Sequence, residues 1–369
     1  MNEVQKSYLE LLRMALWGET DEQLSINEEL LDDVALLAAF QGTGSLVYDQ
    51  LLKLKDLNMT ADMRMHMKQQ CVHSMMLQQS MMTLLAKAWK ALEDVDIHPV
   101  LLKGFGLAQY YPQPHLRQWG DIDVYVGRRN YHLACAVLRD TFPDAEYGEV
   151  EDEAEKHYNF DFPNTVIETH RVSMTFSHPI DRRWYEELEE KYLTKDGPKC
   201  EMERLSVTLP DVTFNVFFIF LHAWHHFVGT GMNMKQVCDI AILLNVQKEY
   251  IDQVRLHRML TKLCLLEVWQ LIMYILVKYL GVSQDGCPFY NEQCGWRAEI
   301  LFEHIMCEGS TYRRKKIYSN GVPYLRRKWQ TFLSRLADSR RVHPYAPQYA
   351  RHMVISDFLH GVERTMRGI

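Results

Sequence analysis

The sequence predicts an α+β protein in which a small mixed β-sheet lies between two helical regions of the chain. Short apolar runs separated by turn residues between positions 96 and 210 are typical of strands. Positions 1–95 and 211–369 instead repeat apolar residues at helical spacing. We therefore predict an N-terminal helical region (1–95), an α/β core (96–210) and a C-terminal helical domain (211–369).

The composition is typical of a globular protein that has no membrane segment. Of the 369 residues, 47% are hydrophobic and 24% are charged. No stretch approaches the roughly 18 consecutive apolar residues of a transmembrane helix, and the N-terminal sequence lacks the basic and apolar segments of a signal peptide. We therefore expect a cytoplasmic protein with no membrane partner, whose eight cysteines are reduced thiols.

Charge is unevenly distributed along the chain. The net charge of −7 argues against bulk binding of nucleic acid. Nine acidic residues lie between positions 3 and 33, whereas 13 lysines and arginines lie after position 311. Seven of these basic residues form two clusters, namely Arg313, Arg314, Lys315, Lys316, Arg326, Arg327 and Lys328. The clusters either dock an acceptor or polyanionic partner, or pair with the acidic N-terminal region.

The sequence predicts two helices next to the sheet. A long helix runs from about position 60 to position 92, because no glycine or proline interrupts it. A second helix is predicted over 129–140, with Leu133, Ala136 and Val137 facing the core.

A third helix, V-F-F-I-F-L-H-A-W-H-H-F, carries a pair of histidines. His222 and His226 are four residues apart and therefore share one face. Histidines at this spacing can bind zinc, but the sequence offers no evident third ligand. We interpret them as packing residues or as a wall of an active cleft that faces residues 211–245.

The most informative stretch of the chain lies between positions 99 and 126. An apolar run that ends at Leu102 is predicted to be a buried strand, and a short helix over 104–111 follows it. A second strand covers Ile122–Val126. Because side chains alternate along a strand, Asp121 and Asp123 share one face.

Two carboxylates so close together repel each other unless a cation lies between them. Hard oxygen ligands suit Mg²⁺ or Mn²⁺, so Asp121 and Asp123 are candidate metal ligands. The alternative is a solvated strand end that carries two ordinary acids. If repulsion dominates, replacing Asp123 by asparagine should leave the fold without metal as stable as before, or more stable. Gly104 at the start of the helix allows close approach of a phosphate.

A β-hairpin is predicted from position 157 to position 172. Its two strands are joined by a turn at Pro163–Asn164, and Glu168 and His170 share one face of the second strand. His170 could orient Glu168, contact a phosphate, act as a base, or simply hydrogen-bond to the backbone. Asp161 on the first strand is a rival to Glu168 as a further acidic ligand.

Several of these motifs, at their joint spacing, resemble one known family. They are L-L-K-G at 101–104, Tyr111–Pro112, Arg117 and D-I-D-V-Y-V at 121–126. Together they resemble the uncharacterised bacterial nucleotidyltransferases, a branch of the DNA polymerase β-like superfamily, over roughly residues 95–245. The Gly-Ser pair usual in the wider superfamily is here Lys103-Gly104-Phe105, without a serine.

The resemblance implies a site as well as a fold. It implies a small mixed sheet on which three carboxylates hold two divalent cations, Mg²⁺ or Mn²⁺. By this resemblance the acid-x-His pair makes Glu168, in preference to Asp161, the third ligand beside Asp121 and Asp123. Lys103 and Arg117 are the nearby cations for phosphate oxygens, with Gly104 and His170 as further substrate contacts.

Three function classes follow. The first is an enzyme that transfers a nucleoside monophosphate from an NTP to a hydroxyl of a small molecule, a protein or an RNA. The second is a catalytically silent nucleotide-binding or regulatory protein, and the third is an interaction module of the toxin–antitoxin type. The clustered carboxylates favour the first class, because a scaffold gains nothing from them.

Overall fold

The computed structural model describes residues 1–19, 21, 24–55, 57–147, 156–203, 205–309 and 324–366. The described chain forms two compact units, each continuous in space but not in sequence. The first unit comprises Met1–Thr175 and Glu186–Asn215, and the second comprises Phe176–Tyr185 and Val216–Ile369.

The first unit begins with four helices and then carries the sheet. The helices are α1 (Glu3–Trp17), α2 (Leu31–Phe40), α3 (Gly44–Lys53) and α4 (Ala61–Glu93). The sheet strands and the helices between them are β1 (Val100–Leu102), α5 (Lys103–Ala108), β2 (Asp121–Tyr125), α6 (Gly127–Thr141), β3 (His157–Phe162) and β4 (Thr165–His170). The part of α7 (Pro179–Tyr192) from Glu186 onwards and the hairpin of β5 (Lys199–Met202) and β6 (Leu205–Thr208) also belong to this unit.

The long helix α4 has a defined start. Thr60 precedes its first turn, and the Thr60 hydroxyl accepts a hydrogen bond from the backbone N–H of Met63 at 3.2 Å. This contact satisfies one of the backbone donors that a helix start leaves without an intrahelical partner. No glycine or proline lies within the 33 residues of α4, which agrees with the uninterrupted helix predicted from the sequence.

The main sheet has four strands in the order β1-β2-β4-β3. β1 is antiparallel to β2, β2 is parallel to β4, and β3 is antiparallel to β4. The sheet is therefore mixed, and the structure confirms the predicted α+β class. The β3–β4 hairpin and its turn at residues 163–164 also lie where the sequence predicts them.

One face of this sheet forms the core of the first unit. Buried side chains from all four strands form this core together with α4 and α6. The strand residues include Leu101, Ile122, Val124, Phe160 and Ile167, and the helix residues include Leu85, Trp89, Tyr131 and Leu138. Because alternate residues of each strand fill this core, the residues between them point to the opposite face. That opposite face carries Asp121, Asp123, Glu168 and His170.

The second unit is helical. It contains most of α8 (Val212–Gly229), followed by α9 (Met234–Gln247), α10 (Gln253–Lys262), α11 (Leu266–Leu280), α12 (Gly295–Glu308), α13 (Tyr324–Val342) and α14 (Pro347–Met366). Helix α11 packs against α9, α10 and α12, while α13 packs against α14. The predicted division at 95 and 210 into three parts stays a prediction, because these units follow contacts instead of the order of the chain.

Helix α8 is apolar enough, over its 18 residues, to cross a membrane by length and composition. However, 72% of that stretch is buried inside the protein, as is typical of a core helix. Within α8, the Nε2 atoms of His222 and His226 lie 3.0 Å apart, and His226 Nδ1 lies 2.9 Å from the Thr230 hydroxyl. Their predicted role as a wall of the active cleft stays a prediction.

The predicted inner face of α6 is correct at Val137, which is half-buried against the core, and wrong at the other two residues. Leu133 is 52% exposed, and Ala136 is exposed as well. The buried face instead consists of Tyr131, Ala134, Cys135 and Leu138. Two apolar stripes run side by side along the helix, and the stripe that contains Tyr131 packs against the sheet.

The basic clusters near the C-terminus lie largely outside the described residues. This applies to Arg313, Arg314, Lys315 and Lys316 entirely, and to the side chains of Arg326, Arg327 and Lys328. Their role in docking a polyanion or an acceptor stays a prediction.

We predict opposite outcomes for the two leucines of α6. Leu138→Ala should lower the free energy of unfolding by about 2–5 kcal/mol, because it removes a fully buried side chain and leaves a cavity. Leu133→Ala should change it by no more than about 0.5 kcal/mol, since that side chain is half exposed. Urea denaturation of both variants measures this difference, and equal losses would contradict the packing of α6 described above.

Candidate active site

The parallel pairing of β2 and β4 brings three carboxylates together. Its register places Asp123 directly beside Glu168. Asp121 lies two residues before Asp123 and therefore on the same face. One carboxylate oxygen from each of the three lies within 4.8 Å of the other two. The candidate ligands named from the sequence thus form one compact group.

Asp123 is the buried centre of this group, with a side chain that is only 1% exposed. Its Oδ1 atom forms an ion pair with the Lys103 ammonium and lies 2.7 Å from His170 Nε2. Burial alone would raise the pKa of Asp123, but the charge of Lys103 and the hydrogen bond from His170 outweigh it and lower the pKa below its usual value. The buried carboxylate is therefore held in its charged form.

This arrangement changes the expected effect of removing the Asp123 charge. Repulsion between Asp121 and Asp123 is offset by a lysine that lies against the buried carboxylate. A substitution at Asp123 would leave the Lys103 ammonium buried without its partner, which costs more than the repulsion it relieves. The structure therefore predicts the opposite of the sequence-based expectation, namely that Asp123→Asn lowers stability.

Lys103 reaches Asp123 from an unusual backbone conformation. It is the first residue of α5, directly after β1, and its φ is 49°, in the left-handed region that residues other than glycine rarely adopt. Such a residue costs on the order of 1–3 kcal/mol and persists only where its surroundings hold it. Here the ion pair with Asp123 is the compensating interaction. Burial alone would lower the pKa of Lys103, but the charges of Asp123, Asp121 and Glu168 raise it.

Glu168 contacts the same two side chains as Asp123, namely Lys103 and His170. Its Oε2 atom lies 3.1 Å from His170 Nε2 and 3.8 Å from Lys103 Nζ. Burial alone would raise the pKa of Glu168, but the hydrogen bond from His170 and the charge of Lys103 lower it to about 2. Glu168 is therefore an anion at neutral pH, as a ligand for a hard cation must be.

Asp161, the rival to Glu168, lies apart from this group. It is opposite Val166 in the β3–β4 hairpin, and its backbone also bridges to Glu146. The residue is exposed. Among the described residues, the acidic groups close enough to share an ion include Glu168 but not Asp161.

Gly104 and Arg117 pack directly against each other. A Cβ atom added at Gly104 would lie 2.9 Å from Arg117 Nη1, so any larger residue would push the guanidinium away. Arg117 is 95% buried by the same packing, and its Nη1 donates to the Gln118 carbonyl at 3.3 Å. The space expected to admit a phosphate beside the Gly104 backbone is therefore filled by a cationic side chain. Helix α5 itself has only six residues.

The chain just after β4 is anchored to α7. Glu189 of α7 accepts hydrogen bonds from the backbone N–H and the hydroxyl of Ser173, each at 2.5 Å. Burial raises the pKa of Glu189 to about 7, although these hydrogen bonds oppose it. His170 depends on the same segment, because its Nδ1 atom lies 3.3 Å from the Val172 carbonyl.

Two residues of the site were not identified from the sequence. His157 lies opposite His170 in the hairpin, with ring centroids 5.0 Å apart, and its Nδ1 atom is 3.6 Å from Glu168 Oε2. Lys156 precedes it, and burial together with the charge of Lys103 lowers the pKa of this second lysine. The predicted hairpin turn fixes the register, so counting back from His170 would have identified His157.

The carboxylate group fits a divalent cation. Its donors are oxygens, which Mg²⁺ and Mn²⁺ prefer. Within the described chain, Asp123 Oδ2 is buried and has no hydrogen-bond partner, a costly state for a carboxylate oxygen. An ion beside Asp121, Asp123 and Glu168 would satisfy this atom.

Comparison with known proteins gives one match. Residues 27–281, more than two thirds of the chain, match a family described as uncharacterised nucleotidyltransferases. No curated protein and no solved structure matches the chain. The matched residues include the whole carboxylate group and both of the cations named from the sequence. The chain therefore belongs to the uncharacterised nucleotidyltransferase family.

Proposed function

We propose that this protein transfers a nucleoside monophosphate from an NTP to a hydroxyl of an acceptor by a two-metal mechanism in the cytoplasm. The acceptor is a small molecule, a protein or an RNA. The observation that carries the proposal is the compact group of Asp121, Asp123 and Glu168, in which one buried oxygen of Asp123 has no partner among the described residues.

Asp121, Asp123 and Glu168 would hold the cations. When bound, Mg²⁺ or Mn²⁺ neutralises the triphosphate, activates the acceptor hydroxyl and stabilises the leaving pyrophosphate. The acceptor oxygen bonds to the α-phosphorus as the bond to the β-phosphate breaks, and the hydroxyl proton passes to solvent. The protein contributes positioning and charge.

The basic side chains around the carboxylates have separate tasks. His170 contacts both Asp123 and Glu168 and so keeps the two carboxylates side by side. Lys103 is the nearest cation to Asp123, and it is free to contact a phosphate oxygen once another cation takes its place. Arg117, held against Gly104, presents the planar guanidinium that suits bidentate phosphate contacts.

Nucleotide binding separates the proposed function from an interaction module. In a thermal stability screen with the four NTPs and Mg²⁺ or Mn²⁺, an NTP at 100 times its Kd should stabilise the parent protein by about 2.7 kcal/mol. We predict that Asp121→Asn abolishes this gain, because it removes one carboxylate of the group.

Asp161→Asn is the matched control for that variant. It removes the same charge from the same face of the sheet, but outside the carboxylate group, so the NTP-dependent stabilisation should persist. If Asp121→Asn binds the NTP as well as the parent does, the carboxylate group is not the nucleotide site. Release of pyrophosphate by the parent then distinguishes an enzyme from a silent nucleotide-binding protein.

A second prediction concerns stability without any ligand. Asp123→Asn should lower the free energy of unfolding by about 3 kcal/mol, because Lys103 loses its closest partner and keeps only the more distant carboxylates of Glu168 and Asp121. Lys103→Met in the same chain removes that charge, so the double variant should lose clearly less than the sum of the two single variants. Strict additivity in urea denaturation would show that the two side chains do not interact.

A third prediction concerns acid. The pKa of Glu168 is depressed in the folded protein to about 2, so its contribution to stability is complete above pH 5 and is lost as the pH falls towards 2. That contribution is on the order of 3 kcal/mol. The difference in unfolding free energy between the parent and Glu168→Gln should therefore shrink across this range. A constant difference from pH 6 to pH 3 would contradict the low pKa.

A further inference from the structure

A second group of potential ligands overlaps the carboxylate group and differs from it in chemistry. His157, Glu168 and His170 each offer one ligand atom, and the three atoms lie within 4.8 Å of one another. The β3–β4 register produces this group, because His157 is directly opposite His170 and Glu168 precedes His170 by two residues on the same face. Two of its three donors are imidazole nitrogens.

The distances suit a tetrahedral metal ion. Glu168 Oε2 lies 3.1 Å from His170 Nε2 and 3.6 Å from His157 Nδ1. In a tetrahedral zinc site, bonds of about 2.0–2.2 Å separate neighbouring ligand atoms by about 3.4 Å. The observed distances lie on either side of this value. An ion would bind all three atoms once side-chain movements bring the nitrogens of His157 and His170, which lie within 4.8 Å of each other, to this separation.

His170 Nδ1, the ring nitrogen that does not face Glu168, is oriented as in a metal-bound histidine. His170 is fully buried, and its Nδ1 atom lies 3.3 Å from the Val172 carbonyl. A carbonyl can only accept, so Nδ1 donates to it, and a metal ion at Nε2 would replace the proton that this nitrogen donates to Asp123 and Glu168. Metal-binding histidines commonly donate their second ring N–H to a backbone carbonyl in this way.

His157 supplies an independent observation. Its Nδ1 atom is buried and has no hydrogen-bond partner in the described part of the chain, although a ring nitrogen in such a position normally has one. The same atom faces Glu168 Oε2. The side chain as a whole is 29% exposed, so an ion can reach it from solvent.

We propose that His157, Glu168 and His170 bind a transition-metal ion of the Zn²⁺ type. Imidazole nitrogen suits Zn²⁺ and Co²⁺, whereas Mg²⁺ prefers oxygen ligands. Asp123 is the nearest further ligand, because its Oδ1 atom lies 2.7 Å from His170 Nε2 and its Oδ2 atom has no hydrogen-bond partner among the described residues. The two groups share Glu168, and Asp123 would serve both, so occupancy by Zn²⁺ excludes the cations of the nucleotide site. This antagonism rests on the proposed function, whereas the binding of Zn²⁺ does not.

The binding can be tested with Co²⁺ alone, without nucleotide. Four-coordinate Co²⁺ absorbs visible light far more strongly than hydrated Co²⁺, so titration of the parent protein should give a saturating visible band at one ion per chain. His157→Gln should weaken Co²⁺ binding at least tenfold, because it removes a ligand. Asp121→Asn should keep the band, since Asp121 belongs only to the oxygen group.

His132→Gln is the matched control, because His132 is an exposed histidine on α6, outside the group. It should bind Co²⁺ like the parent. The proposal is overturned if the parent gives no band, if His157→Gln keeps the parent's affinity, or if His132→Gln loses as much as His157→Gln does. Circular dichroism of His157→Gln verifies that a lost band does not reflect unfolding.

The antagonism has its own measurement. Zn²⁺ should abolish the stabilisation by Mg²⁺ and NTP in the parent protein. In His157→Gln, Zn²⁺ should reduce that stabilisation only weakly. If the Co²⁺ band appears as expected while no NTP stabilises the protein, the proposed function fails and the metal site stands. Equal sensitivity of the two proteins to Zn²⁺ would show that the ion acts elsewhere.

Discussion

The buried carboxylate of Asp123 is the constraint on which the rest of the first unit depends. Removing such a charge from water costs several kcal/mol unless partners compensate it, and here both partners are also buried. Lys103 comes from the junction between β1 and α5, whereas His170 comes from the end of β4. One carboxylate therefore fixes the distance between three separate elements. The left-handed backbone at Lys103 is stable because this interaction offsets its cost.

Alternate residues of the same strands have different tasks. One set packs into the core, and the other forms the candidate site. Ile122 and Val124 fill the core beneath α4 and α6, while Asp121 and Asp123 point to the other face. Parallel pairing then places Glu168 beside Asp123 without any loop having to position it. The site is consequently as rigid as the sheet. A shift of one residue in the pairing of β2 with β4 would separate the carboxylates and place charges in the core.

Much of this arrangement follows from the sequence, because its signals are local. Apolar runs, a two-residue turn and the spacing of Asp121 and Asp123 suffice to predict the strands and the shared face. The buried face of α6 could not be predicted in this way, since Leu133 and Leu138 belong to adjacent stripes of similar apolarity and only packing selects one. Nothing in the sequence marks Lys103 as left-handed, because lysine has no preference for that region. The partners of Asp123, and hence the effect of its removal, depend on contacts across the sheet.

The β3–β4 hairpin has a consequence for how such chains can diverge. Its two strands are joined by two residues, and each position of β3 faces a fixed position of β4. Gain or loss of one residue within the hairpin would invert every side chain beyond it, directing His157 inward and Phe160 towards solvent. Related chains should therefore resist changes in length between His157 and His170.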